Sequence, residues 1–109
     1  TPHLIPMFRG ILSTIYLELN KNYSAKKVYK ILKTYHKNNF FVKIGKFNTS
    51  IGTGDVMNTN YCKISVCEDR IQKKIIVISA IDNLIKGASG QAVQNMNVAF
   101  KLNERMGLL

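Results

Sequence analysis

Apolar and polar positions alternate from Ile11 to Leu19. Ile11, Ser13, Ile15, Leu17 and Leu19 fall on one face, and Leu12, Thr14, Tyr16 and Glu18 on the other. With these β-forming residue types the pattern predicts a strand with one buried and one mixed face. The period then changes. After Ser24, a residue type suited to an N-cap, Val28, Ile31, Leu32 and Tyr35 recur at helical spacing, and Lys26, Lys27, Lys30, Lys33 and Lys37 fill most of the remaining surface. Asn38-Asn39 closes this helix, and 40–44 reads as a short strand. Residues 45–59, rich in Gly, Asn, Ser and Thr, form a long irregular connection, of a length that in small domains often serves function or an interface. Residues 61–66 alternate again, Glu68-Asp69-Arg70 reads as a hairpin turn, and 74–81 is a nearly unbroken β-branched run suited to a central strand. From about Lys86 to Leu102, the spacing of Ala88, Ala92, Val93, Met96 and Ala99 predicts a second helix packing through small residues. Ahead of the first strand, the run Leu4-Ile5-Pro6-Met7-Phe8 holds a proline that cannot donate to a ladder, so it belongs at an edge or bulge, and Gly10 allows a bend. The expectation is α+β: a mixed, largely antiparallel sheet of four or five strands with two helices packed on it.

Length limits this to one domain over 1–109, because 109 residues at 46% hydrophobic content supply a single modest core. Lys and Arg number 16 against 6 Asp and Glu, a formal +10. That charge would suggest nucleic acid, but Lys outnumbers Arg 13 to 3 and accompanies 13 Ile and 11 Asn, the bias of an AT-rich coding sequence. A phosphate-reading surface prefers the planar fork of Arg. The reading is therefore no nucleic-acid partner. No run approaches the ~18 apolar residues of a membrane helix, so no membrane partner is expected either. Cys62 and Cys67 stand as C-x4-C without a second pair or a nearby His, which suggests neither a zinc site nor a disulfide framework and makes a reduced, cytoplasmic protein the expectation.

Few residues carry candidate chemistry. Gly52-Thr53-Gly54 lacks the strand before and the helix after it that a dinucleotide fingerprint needs. Cys62 sits within an alternating strand, with nothing nearby in sequence to stabilise a thiolate. His36 lies on the lysine-rich helix as a surface residue. His3, bracketed by Pro2 and Pro6, is a better candidate, since an imidazole can shuttle protons near neutral pH. The densest polar cluster is Asp82-Asn83-Leu84-Ile85-Lys86-Gly87-Ala88-Ser89-Gly90-Gln91, where a buried strand hands over to a helix. Two readings stand side by side there. Helix N–H groups and side-chain amides can converge on a ligand, or the segment is a capping turn with close packing through Gly87, Ala88 and Gly90.

The stretch from Ile81 to Asn97 and the stretch Thr1-Pro2-His3-Leu4-Ile5-Pro6-Met7-Phe8-Arg9-Gly10-Ile11-Leu12-Ser13-Thr14, with Asn60-Tyr61-Cys62 between them, resemble the N-acetyl-gamma-glutamyl-phosphate reductases of arginine biosynthesis. The resemblance runs in register from Thr1 to Gly107. It implies the C-terminal part of a catalytic and dimerisation domain like that of glyceraldehyde-phosphate dehydrogenase. The whole enzyme it implies uses NADPH, pairs this domain with an N-terminal nucleotide-binding domain, and assembles as a dimer or tetramer. In that chemistry a cysteine thiolate displaces phosphate from the acyl phosphate of N-acetyl-glutamate, and hydride reduces the thioester to the semialdehyde. The Gly-rich fingerprint, the nucleophilic cysteine after a Pro-Gly turn and the upstream histidine are absent from these 109 residues, so no catalytic residue is assigned and the chain alone is expected to be inactive. By resemblance Asn83 lies near the nicotinamide, with Lys86, Gly87 and Gln91 beside it, while His3 and Arg9 lie close to the acyl-phosphate substrate. The alternative is a non-catalytic remnant that survives as a dimerising module.

Overall fold

The chain's computed structural model describes residues 1–3 and 5–108. Five strands, β1 (Pro2–His3), β2 (Ile11–Glu18), β3 (Val42–Ile44), β4 (Cys62–Glu68) and β5 (Lys74–Ile81), form one sheet in the order β1-β2-β5-β4-β3. Neighbours are antiparallel except β3 and β4, whose parallel register sets Val42 opposite Cys62. β5 is central, as its unbroken apolar character requires. The sheet is the mixed, largely antiparallel one expected.

Helix α1 (Ala25–Tyr35) starts where Ser24 Oγ accepts from the N–H of Lys27 at 3.2 Å. It packs on the sheet through Ala25, Val28, Tyr29 and Leu32, which join Leu19, Phe47, Ile64, Val66, Ile75 and Val77 in the main core. Ile31 and Tyr35, expected on that face, are exposed. The seam is turned toward Tyr29 because its ring meets Phe47 at 5.5 Å.

Other expectations shift. The short strand begins at Val42 rather than Phe40, because Phe40 and Phe41 form a turn whose rings pack edge to face at 5.1 Å. The proline-interrupted run supplies no strand in Ile5–Phe8; the edge is Pro2–His3, and Leu4 lies outside the described residues. The second helix starts near Lys86 as expected, but its first turn is not α, and it ends at Ala99 rather than Leu102. A single π-helical turn, Ile85–Ser89, leads into α2 (Gly90–Ala99). Its packed side also differs: Ala88, Ala92, Met96 and Ala99 face solvent, whereas Gly90 and Asn97 are buried. Polar side chains occupy the inner side because the tail that follows returns along it.

That return is made by a left-handed residue. Lys101, at φ 56°, places its N–H on Val98 O at 3.1 Å and the next N–H on Asn97 O at 2.8 Å, closing α2 in a Schellman turn. A side chain in this conformation is strained, so Lys101→Gly is expected to raise stability by about 0.5–1 kcal/mol, read from thermal melts; a lower melting temperature would show that the lysine contributes something the turn geometry does not.

Among the described residues no helix is long and apolar enough to cross a membrane.

Candidate functional site at the strand-to-helix junction

β5 ends at Ile81 and delivers Asp82, a carboxylate with no exposed surface. Its Oδ1 accepts the N–H groups of Leu84 (2.9 Å) and Ile85 (3.0 Å), satisfying donors at the start of the π turn. Its Oδ2 accepts the N–H of Asn58 at 2.8 Å and faces Arg9 Nη1 at 3.4 Å. Burial is the largest single influence on the Asp82 pKa and pushes it up. The N–H groups of Asn58, Ile85 and Leu84, with the Arg9 charge, outweigh it and hold the carboxyl below its ordinary value. The same guanidinium nitrogen of Arg9 donates to Asn58 Oδ1. Asp82 thus ties three distant parts of the chain, the entry to β2, the long connection and the junction, around one charge.

Asn83 stands on this anchor. Its Oδ1 accepts the N–H of Gly10 at 2.8 Å, and its Nδ2 has no partner among the described residues. Gly10 has φ 115°, and a Cβ there would lie 2.6 Å from Thr53 Cβ, so only glycine lets the chain turn here to meet Asn83.

Lys86, Gly87 and Gln91 do not share a surface with Asn83 as a set. Lys86 is drawn inward, its Nζ donating to Gln94 Oε1 at 2.7 Å and lying 5.5 Å from the Phe41 ring centre. Burial lowers its pKa, and the neighbouring Cys62 and the Glu104 carboxylate partly offset that. Gly87 closes the π turn with its N–H on Asp82 O at 2.9 Å and is exposed. Gln91 reaches along its own helix to Asn95 Oδ1 at 2.8 Å. His3, on β1, contacts Thr14 Oγ1 through Nε2 at 3.0 Å and is exposed. The structure therefore joins Arg9 with Asn83 through Asp82, and sets His3 on the neighbouring edge strand.

Sequence reasoning missed a second polar group below the junction. Asn60, with no exposed surface, donates from Nδ2 to Gln94 Oε1 at 2.9 Å, and Gln94 Nε2 donates to Glu104 Oε1 at 2.7 Å. Two donors on one Gln94 oxygen fix the orientation of that amide. Asn60 Oδ1 has no partner among the described residues and lies against Gly90. Asn97 Nδ2 holds the carbonyls of Glu104 (3.2 Å) and Met106 (2.8 Å). The available signal was the polar run Gln91, Gln94, Asn95, Asn97 within a helix predicted to pack through alanines. The structure also brings Lys86 near Cys62, a cation that is remote from the thiol in sequence.

Gly52-Thr53-Gly54 lies at a single 3-10 turn, Thr53–Asp55, closed by the Gly52 N–H on Asp55 Oδ2 at 2.9 Å. Among the described residues no group of three or more His, Cys, Asp or Glu is placed to hold a metal ion.

Residues 1–83 match the semialdehyde dehydrogenase dimerisation-domain family. The chain is 44% identical over 108 residues to the N-acetyl-gamma-glutamyl-phosphate reductases of Staphylococcus aureus strains USA300 and COL. Each alignment takes in 99% of this chain and 32% of the relative, so the chain spans about a third of the length of these curated relatives. Two crystal structures of aspartate semialdehyde dehydrogenase II from Vibrio cholerae, one of them complexed with ASA, superpose on 89% of this chain and 29% of theirs. Their TM-scores are 0.69 and 0.68 at 20% identity, a likeness of fold.

Proposed function

Because the chain belongs to the semialdehyde dehydrogenase dimerisation-domain family, we propose that it is the C-terminal portion of the catalytic and dimerisation domain of an NADPH-dependent N-acetyl-gamma-glutamyl-phosphate reductase, a cytoplasmic enzyme of arginine biosynthesis. The identity of 44% across 99% of the chain to reductases of that name carries the reading. The protein as a whole reduces an acyl phosphate to an aldehyde, with an N-terminal nucleotide-binding domain supplying the rest of the active site. The 109 residues alone do not turn over. The whole assembles as a dimer or tetramer; the half-exposed Ile15, Tyr16 and Leu17 of β2 supply apolar surface of the kind that association buries.

NADPH, when bound, supplies the hydride. The residues at the junction fit one end of it. The Asn83 amide is fixed through its oxygen and keeps an open N–H2, which suits one hydrogen bond donated to the nicotinamide carboxamide. Gly87, exposed on the π turn beside Asn83, permits close approach, Lys86 supports the turn from within, and Gln91, one turn further along the helix, is the outermost of the four. Arg9 and His3 bind the anionic end of the substrate, Arg9 through the guanidinium nitrogens not committed to Asp82 and Asn58.

The test is steady-state kinetics of the full-length enzyme carrying Asn83→Asp, which keeps the acceptor for Gly10 and removes the donor. The NADPH KM is expected to rise, or hydride transfer to slow, by roughly tenfold or more, the loss of about 1–3 kcal/mol of oriented hydrogen bonding. Cys62→Ala should stay within about twofold of wild type. Abolished turnover in Cys62→Ala with an unaffected Asn83→Asp would reverse the assignment.

A further inference from the structure

The tail beyond α2 is bound in detail. Asn97 holds two of its carbonyls, Gln94 holds the Glu104 carboxylate, and the Arg105 guanidinium lies 4.5 Å from the Phe40 ring centre. Phe40 packs edge to face on Phe41, the ring beneath Lys86. The far end of the tail, Gly107 and Leu108, walls a depression of about 320 Å³ with Asn58, Ile85, Ser89 and Gly90. The tail therefore meets the junction at two places, and between them runs one unbroken chain of donors and acceptors: Lys86 Nζ to Gln94 Oε1, Gln94 Nε2 to Glu104 Oε1.

We infer that Gln94 and Glu104 are positioning residues for the junction: the carboxylate of the tail fixes the Gln94 amide, the amide fixes the Lys86 ammonium and Asn60, and these hold the Ile85–Ser89 turn on which Asn83 depends. Three features require this direction of control. The π turn is a single turn held at its start by the Asp82 carboxylate and across it by the Ser89 hydroxyl on Leu84 O, which leaves the side facing the tail to be held by Lys86. Its only inward polar side chain is Lys86, which would leave for water if Gln94 were free to rotate. Gln94 is kept from rotating by the carboxylate, because a charged acceptor on Nε2 leaves Oε1 to face Lys86 and Asn60. Lys86 on this account is a strut under the cofactor wall, its charge turned away from any ligand. This rests on the reading of the chain as part of the reductase only for its kinetic consequence; the mechanical part stands without it.

The test uses the full-length protein with Glu104→Ala, Glu104→Asp and Glu104→Gln, read by hydrogen exchange of the amides of residues 85–90 and by NADPH kinetics. Glutamine keeps an oxygen at the same reach, aspartate falls short by one methylene, and alanine removes the acceptor. Exchange in the turn is expected to rise about tenfold in Glu104→Ala, the effect of one charge-assisted hydrogen bond, to rise less in Glu104→Asp, and to rise by no more than about threefold in Glu104→Gln, which keeps an acceptor without its charge. The NADPH KM should follow the same order with kcat changed less than about twofold. If Glu104→Ala does not fold, Glu104→Asp against Glu104→Gln decides the question. Unchanged exchange in the turn of folded Glu104→Ala and Glu104→Asp, or a Glu104→Gln as loose as the alanine variant, overturns the positioning role. A loosened turn with an unchanged KM keeps that role and removes the nicotinamide from the junction.

Discussion

Asp82→Asn is expected to cost about 3 kcal/mol of folding stability. The new side chain has nearly the same shape, so the loss is one of hydrogen-bonding sense. Both carboxylate oxygens accept, one from Leu84 and Ile85 and the other from Asn58 and Arg9. Whichever way an asparagine amide is turned, its N–H2 faces two donors in a place water does not reach. The partner charge adds less than a buried pair would, since Arg9 is 35% exposed. For a domain of this size the melting temperature should fall by roughly 10 °C or more. The pH dependence has a definite sign. The folded-state pKa of Asp82 is depressed, so its contribution is fully present above the unfolded value of about 3.9 and is lost as the pH falls through the lower folded value. Urea titrations at several pH values should therefore give a constant difference between wild type and Asp82→Asn from about pH 5 upward, narrowing below about pH 4. A difference that grows on acidification would mean the carboxyl is already protonated in the folded protein.

Gly90→Ala is expected to be nearly as damaging, at about 2–3 kcal/mol, although alanine is by far the better helix former. A Cβ at this first residue of α2 would sit 2.6 Å from Ile85 Cγ2 and 2.9 Å from Ile85 O, and would strike Asn60 Oδ1. None of these can swing away. Ile85 is fixed by Asp82, and Asn60 is fixed by Gln94. Gly87→Ala makes the contrast, because a Cβ there meets its nearest atoms at 3.6–3.8 Å, ordinary contact. It should change the melting temperature by no more than a few degrees, about 0.5 kcal/mol in either direction. Thermal unfolding of the two variants side by side checks both, and equal tolerance at the two positions would show that the π turn moves more freely than its hydrogen bonds indicate.

The strands of this sheet are written plainly in the chain. Period-2 alternation marks β2, and the β-branched run marks β5 with the boundaries Lys74 and Ile81 that the sheet adopts. Local chemistry also carries the α1 start at Ser24 and the junction at Asp82-Asn83. What stays hidden depends on partners far along the chain. Asn58 meets Asp82 across 24 residues, Asn60 meets Gln94 across 34, and Arg9 meets Asp82 across 73. The α2 face is misjudged for a physical reason. An apolar pattern assigns alanines to the interior by default, but the returning tail brings backbone carbonyls against the helix, and these need the amides of Gln94 and Asn97 rather than methyl groups. The junction follows the same division: Asp82 and Asn83 stand together in a dense local cluster, whereas the arginine and the glycine that meet them are brought there only by the fold.

The pairing of β2 with β5 has a consequence for how the chain is made. Its registers join Glu18 to Lys74 and Ile11 to Ile81, so β2 has no central neighbour until β5 exists. On a ribosome adding about 5–20 residues per second, the segment Ile-Leu-Ser-Thr-Ile-Tyr-Leu, uncharged and strongly β-forming, emerges several seconds before its complement. During that interval it is a sticky extended segment of the kind that chaperones capture and that neighbouring nascent chains can join. The lysine-rich α1, made next and able to form locally, gives the waiting polypeptide a positive charge that discourages such encounters.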